Sequence, residues 1–545
     1  MWEADGVESS IGISDRDSFA FYVNGKCDGN AVSDAGMQIM SGLIGAAMHP
    51  DPGTAFIVGL GTGETAGWLA QVGSIERVDV AELEPAMLEM ARRCGPVNHE
   101  VLANPKVHVE CNDARELLLT GKSRYDIIAC EPSNPYRSGV ANLFTQEFYR
   151  VARSRLAPGG IFLQWLQGYE VDEETVRTVL ATLRSVFPHV EIWQTESNDL
   201  VLLCSEKAQE LTAPELRRRL ASEPLSSALP AAWFTTGAEG FLAHYIGGRQ
   251  AVDAYIGDGK PVPVNTDDRN HVEYGFARTL GHLGLFDVRK LLSLSAQAHD
   301  GQPKIVPEDG DSIDWASVAR TRLWDFIDIA PVDDLLAPES ARRVVGYHRA
   351  GDVAGKIAAW ELTDQDKANL DELAVIACAY AEKGDSKAEP LIERLRSCAP
   401  TTADVVSARL ALARNDIPAA TERLEKCFVS LRTSPWLPVS LSELSLRMAV
   451  EIARNSPDKA PCLLAALSQP FAVAATKAGR LKAACFIATA GPPEVAIPLL
   501  EAHEPHVPWS REFLTWRRDV YLAVGHPLAA KAAAELDEFE RHAVP

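Results

Sequence analysis

The chain has 545 residues, enough for two or more compact domains, and its 46% apolar content is ordinary for a globular protein. A formal charge of −22, with no Lys/Arg run, argues against nucleic-acid binding. No apolar stretch reaches the roughly 18 residues of a membrane span, and MWEADGVESS lacks the basic and apolar regions of a signal peptide, so a cytoplasmic protein with no membrane contact is expected. The ten cysteines form no CxxC pair and no zinc spacing with histidine; buried free thiols and no metal are expected.

In chain order, residues 1–50 read as short strands and one helix. SIGISD and FAFYVNGK, parted by the polar DRDS, look hairpin-like, and DAGMQIMSGLIGAAMHP carries apolar residues at helical spacing up to His49-Pro50. From residue 51 strands and helices alternate. The predicted strands are AFIVGL, RVDVAEL, VHVECND, YDIIACEP and IFLQWLQ, with helices between them, one of them EFYRVARSRLAPGG. VDEETVRTVLATLRSVF is a further helix, and VEIWQT and LVLLCS finish the sheet. This alternation predicts an α/β doubly wound, Rossmann-like domain over 51–295. A linker is expected at 296–315. Beyond it, helical pairs around tight turns, two of them at Asp385 and Asp416, predict an all-α TPR-like repeat domain over 316–545.

Three elements, at the ends of the first three predicted strands, form one ligand-shaped set. Gly59, Gly61 and Gly63 follow the first strand and open a helix, where the lack of a Cβ lets a ligand approach the backbone. Glu82 ends the next strand and can accept both hydroxyls of a ribose. Asp113, followed by Ala114, ends the third and can accept from an adenine amino group or cap the helix ARELLLT. Ala66 breaks the full G-x-G-x-x-G spacing, which argues against NAD. Cys130-Glu131-Pro132-Ser133-Asn134-Pro135-Tyr136 ends the fourth strand, over the crevice where a second substrate would meet the reactive centre.

These elements resemble the spermidine/spermine synthase (polyamine aminopropyltransferase) family, its bacterial spermidine-synthase-like branch in particular. GLGTGET matches the family's GGGDGG-type loop, and Ala81-Glu82-Leu83-Glu84 its V-E-I-D strand end. Asn112-Asp113-Ala114 matches a G-D-G/A element, Tyr125 to Pro135 the Y-D-V-I-x-D-S-x-D-P loop, and Leu143 to Tyr149 the L-F-x-x-x-F-Y run. The likeness spans about Phe19 to Phe187, and more thinly reaches Tyr274. It implies a class I S-adenosylmethionine-dependent methyltransferase-like form of the Rossmann-like fold, and transfer of an aminopropyl group from decarboxylated S-adenosylmethionine to a small-molecule amine. Glu131 would be the catalytic acid–base group and Asn134 would supply a positioning hydrogen bond. Gly59, Gly61, Gly63, Glu82, Asp113 and Ala114 would hold the donor, and Gln38, Tyr136 and Gln164 would meet the substrate.

The chain also departs from the family. Where the family's fourth-strand loop has two aspartates, this one has Glu131 and Asn134, and Asp34 is followed by Met37 and Gln38 where an aromatic would sit. One carboxylate fewer disfavours a dication, so an acceptor other than putrescine is expected. Methyl transfer from S-adenosylmethionine and a non-catalytic nucleoside-binding scaffold stay open as alternatives. A protein bound by the helical repeats and a second copy of the chain are the candidate partners.

Overall fold

The computed structural model describes residues 2–542 apart from 17, 138, 197–198, 326–336 and 490. The chain divides into two compact units, residues 1–14 with 19–376 and residues 15–18 with 377–545.

The first unit begins with four antiparallel strands, β1 (Trp2–Asp5), β2 (Ser10–Ser14), β3 (Ala20–Val23) and β4 (Lys26–Asn30), in the order β1-β2-β3-β4. Helix α1 (Ala35–Met48) follows. Then come β5 (Thr54–Val58), α2 (Glu64–Leu69), β6 (Arg77–Glu82), α3 (Met87–Arg93), α4 (Gly95–Asn98), β7 (Val107–Cys111), α5 (Ala114–Thr120), β8 (Tyr125–Cys130), α6 (Gln146–Ser154), β9 (Leu156–Gln167), α7 (Glu173–Arg184), β10 (His189–Glu196) and β11 (Asp199–Ser205). A short β12 (Leu211–Thr212) and β13 (Tyr245–Gly247) complete the strands up to residue 247.

The main sheet runs β13-β10-β11-β9-β8-β5-β6-β7. Strands β7, β6, β5, β8 and β9 are parallel, while β11 lies antiparallel between β9 and β10. This is the doubly wound, Rossmann-like class predicted from the alternation. The order reverses at β5, whose neighbours are β6 and β8, and a ligand crevice forms beyond the strand ends at such a point.

Strand alternation assigns the two faces. Ile128 and Phe162 share one core with Leu118, Phe148, Tyr149 and Val179 from α5, α6 and α7 and with Phe187 just past α7, and the rings of Phe162 and Phe187 stack at 5.6 Å. The opposite face, at Ile127 and Leu163, meets α1. Packing is close there: a Cβ on Gly45 would stand 2.8 Å from Leu163 Cδ1, so that side chain would have to shift. Helix α1 is therefore buried along almost its whole length, and this seats Gln38 beside the sheet.

Three local predictions differ from the structure. The helix expected to run to Gly160 ends at Ser154, and residues 156–160 enter β9, where Leu156 pairs with Tyr125. The residues expected as a linker carry β14 (Ile305–Val306), parallel to β12. Of the ten unpaired cysteines, Cys27 and Cys111 are exposed rather than buried.

The second unit is helical, with no strand among its described residues. Its turns repeat one geometry. Gly384 and Asn415 have φ of +67° and +60°, and the next N–H closes on the preceding helix, Asp385 to Tyr380 O at 3.1 Å and Asp416 to Ala411 O at 2.9 Å. Gly525 and His526 do the same, with φ +63° and a 2.9 Å bond to Tyr521 O. No described helix is long and apolar enough to cross a membrane.

Close packing of α2 against α4 sets up the glycine-rich turn. A Cβ on Gly67 would lie 1.9 Å from the Asn98 carbonyl oxygen, whereas one on Gly73 would meet nothing within 4 Å. Gly67→Ala should destabilise the first unit by about 1–3 kcal/mol, as overpacking does, while Gly73→Ala should not. Thermal unfolding of both variants checks this.

Candidate active site

The loop after β5 is built on three left-handed glycines, Gly59, Gly61 and Gly63, with φ of +91°, +53° and +82°. A Cβ would be strained at each, and at Gly63 it would also stand 2.6 Å from Val101 Cγ1. The loop is held from three sides. Glu82, ending β6, accepts the Leu60 N–H through Oε2 and the Glu84 N–H through Oε1, both at 2.8 Å. Buried Asn98 donates from Nδ2 to the carbonyls of Thr62 and Ala91, both at 2.7 Å. The Thr62 hydroxyl donates to Gln38 Oε1, and Gln38 Nε2 donates to the Asn30 carbonyl at 3.1 Å. Gln38 is thus a strut between β4 and the glycine turn.

Asp113 caps α5, accepting the Arg115 N–H at 2.7 Å and the Glu116 N–H at 3.4 Å. The cap, one of its two predicted uses, is therefore present. The exposed Asp113 side chain stands at the rim, and Ala114 is buried behind it. Arg115 forms a two-pronged ion pair with Asp267. Asn265 cross-links elements: its Nδ2 donates to Phe144 O at 3.1 Å and its N–H to Thr182 Oγ1 at 2.9 Å. Asn270 caps the helix His271–Thr279.

Glu131 follows β8 directly, beside the switch point. Thr65 Oγ1 lies 3.0 and 2.9 Å from its two carboxyl oxygens and 2.7 Å from the Gln38 carbonyl oxygen. A hydroxyl has one proton, and the Gln38 carbonyl can only accept. If Thr65 donates to Gln38, the contact with Glu131 needs a proton on Glu131; if Glu131 is ionised, Thr65 turns to it. Burial pushes the Glu131 carboxyl up to about 7, against the pull of the Ser41 and Thr65 hydroxyls. The group is poised to exchange a proton near neutral pH.

Asn134 is buried in a polar chain. Tyr136 donates its hydroxyl to Asn134 Oδ1 at 3.2 Å, Asn134 Nδ2 donates to Gln167 Oε1, and Gln167 Nε2 donates to the Tyr169 carbonyl at 2.8 Å. Lys26 caps the Tyr136 ring, with Nζ 4.6 Å from its centroid and 2.9 Å from Glu170. Asp28 on β4 clasps the same loop, accepting from Ser133 Oγ and pairing with Arg137 at 2.8 Å. Gln164 is fully buried beside Cys130, with Nε2 3.0 Å from the Trp165 carbonyl. Gln167, three residues on, is the glutamine of this strand that touches Asn134.

The structure therefore gathers Gln38, Gly59, Gly61, Gly63, Glu82, Glu131, Asn134 and Tyr136 at one end of the parallel strands, with Asp113 at the rim and Gln164 beneath. Sequence pattern missed Thr65, Asn98 and Asp28, whose parts depend on contacts across 66, 36 and 105 positions of chain. It also missed Glu196 and Asp199, the paired ends of β10 and β11. Burial and the neighbouring acids, Asp34 among them, push Glu196 up to about 8 and Asp199 up to about 7.

A raised folded-state pKa makes the neutral form of Glu131 the one the fold prefers. Its contribution to stability is complete below the unfolded value near 4.5 and is lost as pH rises through about 7. Glu131→Gln should match the wild type in thermal unfolding near pH 4.5. Near pH 8 it should be the more stable protein, by about 3 kcal/mol at most. Equal stability at both pH values would contradict the shift.

Residues 37–196 match the family model described as Spermine/spermidine synthase domain. A polyamine aminopropyltransferase from Nitrosomonas europaea is 33% identical over 143 residues, 26% of this chain and 44% of that protein. A spermidine synthase from Dictyostelium discoideum is 25% identical over 187 residues, 34% of this chain and 59% of that protein. The chain thus spans about half the length of these curated relatives. Among solved structures, a spermidine synthase from Thermotoga maritima aligns with a TM-score of 0.34 and 18% identity, over 38% of this chain and 72% of that one.

Proposed function

We propose that this chain, whose residues 37–196 form a spermine/spermidine synthase domain, transfers an aminopropyl group from decarboxylated S-adenosylmethionine to an amine. The observation that carries the reading is the placement of Glu131. A buried acid poised to ionise near pH 7 stands one element away from a glycine loop pinned by Glu82. Names borne by the relatives of this domain support the same chemistry.

In this reading the donor's ribose lies against Glu82 and its adenine near Asp113. The acceptor nitrogen attacks the aminopropyl carbon bonded to the sulfonium, the carbon–sulfur bond breaks, and its electron pair leaves with methylthioadenosine. The proton lost by the amine passes to ionised Glu131. Sulfonium is a good leaving group, so alignment and proton removal are the work left to the protein. Asn134, held at both ends by Tyr136 and Gln167, keeps the loop over the reacting carbon. With an amide where the family loop has a second acid, putrescine is not the favoured acceptor. The helical unit, with its repeated turns, is proposed as a TPR-like surface for a protein partner.

Incubation with decarboxylated S-adenosylmethionine and a panel of amines should yield methylthioadenosine. Its absence with every amine would sink the reading, and S-adenosylhomocysteine formed from S-adenosylmethionine would replace it by methyl transfer. The base must be ionised, so kcat/KM should climb about tenfold per pH unit below about 7 and flatten above it. Glu131→Gln should abolish that inflection and lower kcat by about a hundredfold or more.

A further inference from the structure

Glu64, the first residue of α2, has no part in the reaction above. Its side chain is fully buried, and neither carboxyl oxygen has a hydrogen-bond partner among the described residues. The charged groups that act on it are both acids, Asp34 before α1 and Glu131 after β8, and it in turn acts on the buried Cys94 thiol at the end of α3. Those acids have other partners: Asp34 accepts the Asn30 N–H at 2.8 Å and the Ser33 hydroxyl at 3.0 Å, and Glu131 meets Thr65. A buried acid with no donor is costly, and native structures retain such groups where a ligand or reaction uses them. Glu64 also follows Gly63 directly, so it is anchored on the loop that borders the crevice.

We propose that Glu64 binds an alkylammonium group of a substrate, as a second acid of the site beside Glu131. This rests on the aminopropyltransferase reading. The fourth-strand loop has an amide, Asn134, where the family it resembles has an acid, and Glu64 returns the missing negative charge from α2. On binding, the neutral carboxyl releases its proton to solvent and the carboxylate pairs with the ammonium. That cation has two sources, the donor's aminopropyl end or the acceptor amine.

Calorimetric titration separates them. The probes are decarboxylated S-adenosylmethionine, methylthioadenosine, which lacks the aminopropyl group, and 1,3-diaminopropane. Glu64→Gln should leave methylthioadenosine affinity unchanged and weaken one of the two cations by about tenfold to a hundredfold. Loss of the decarboxylated donor identifies its aminopropyl end as the ligand; loss of the diamine identifies the acceptor. Equal affinity of wild type and Glu64→Gln for all three overturns the proposal and leaves the transferase reading intact, whereas failure of wild type to bind any of them overturns both. Should Glu64→Gln not fold, the Glu131→Gln protein is titrated in two buffers of different ionisation enthalpy. Proton release on binding one of the cations, with none for methylthioadenosine, is then expected, and its absence overturns the proposal.

Discussion

The site depends on one carboxylate. Glu82 reaches from the end of β6 to the turn after β5 and takes the Leu60 N–H, while its other oxygen takes the Glu84 N–H. A turn of three left-handed glycines has much backbone freedom to lose, and bonds from a buried side chain offset that loss. Burial raises the Glu82 carboxyl, and the N–H groups of Glu84, Leu60 and Gly61 pull it back down. The Gly59 N–H adds a 2.9 Å bond to Ala81 O, so the turn is tied to β6 at two points. With Asn98 beneath and Gln38 beside it, the loop is shaped before any ligand arrives, which limits the ordering cost of binding.

The second constraint is charge. Asp34, Glu64, Glu131, Glu196 and Asp199 are all raised, with desolvation the largest cause each time. Glu64, Glu196 and Asp199 are each raised further by neighbouring acids, Asp34 among them every time. Burial, with repulsion between the acids added to it, favours the neutral forms, and a cation would reverse the balance. Such a region suits an amine substrate. Cations near the outer rim are already committed, Lys26 to Glu170 and Arg137 to Asp28.

What was legible in the sequence was local. The parallel strands, α1, the glycine turn and Glu82 follow from apolar periodicity and turn chemistry over a few residues each. Asp113 was legible only as two alternatives, because an acid before a helix serves as a cap whatever else it does. The antiparallel insertion of β11 between β9 and β10 was not legible, since apolar periodicity carries no strand direction. Nor was the four-stranded N-terminal sheet, whose first strand is the acidic Trp2–Asp5. Glu64 stood in plain view within GLGTGET, yet only burial reveals that its carboxyl is unpaired. Gln164 and Gln167 lie three positions apart on β9 and so point to opposite faces of the strand, and three-dimensional contacts alone show that Gln167 is the one that meets Asn134.

In the proposed reaction the pinned glycine turn holds the donor's adenosyl group. Hydrogen exchange with and without methylthioadenosine probes that contact. Slower exchange is expected in peptides covering 59–65 and 82–84, with no change across the helical unit. Unchanged exchange at both of those segments, with saturating nucleoside present, would contradict it.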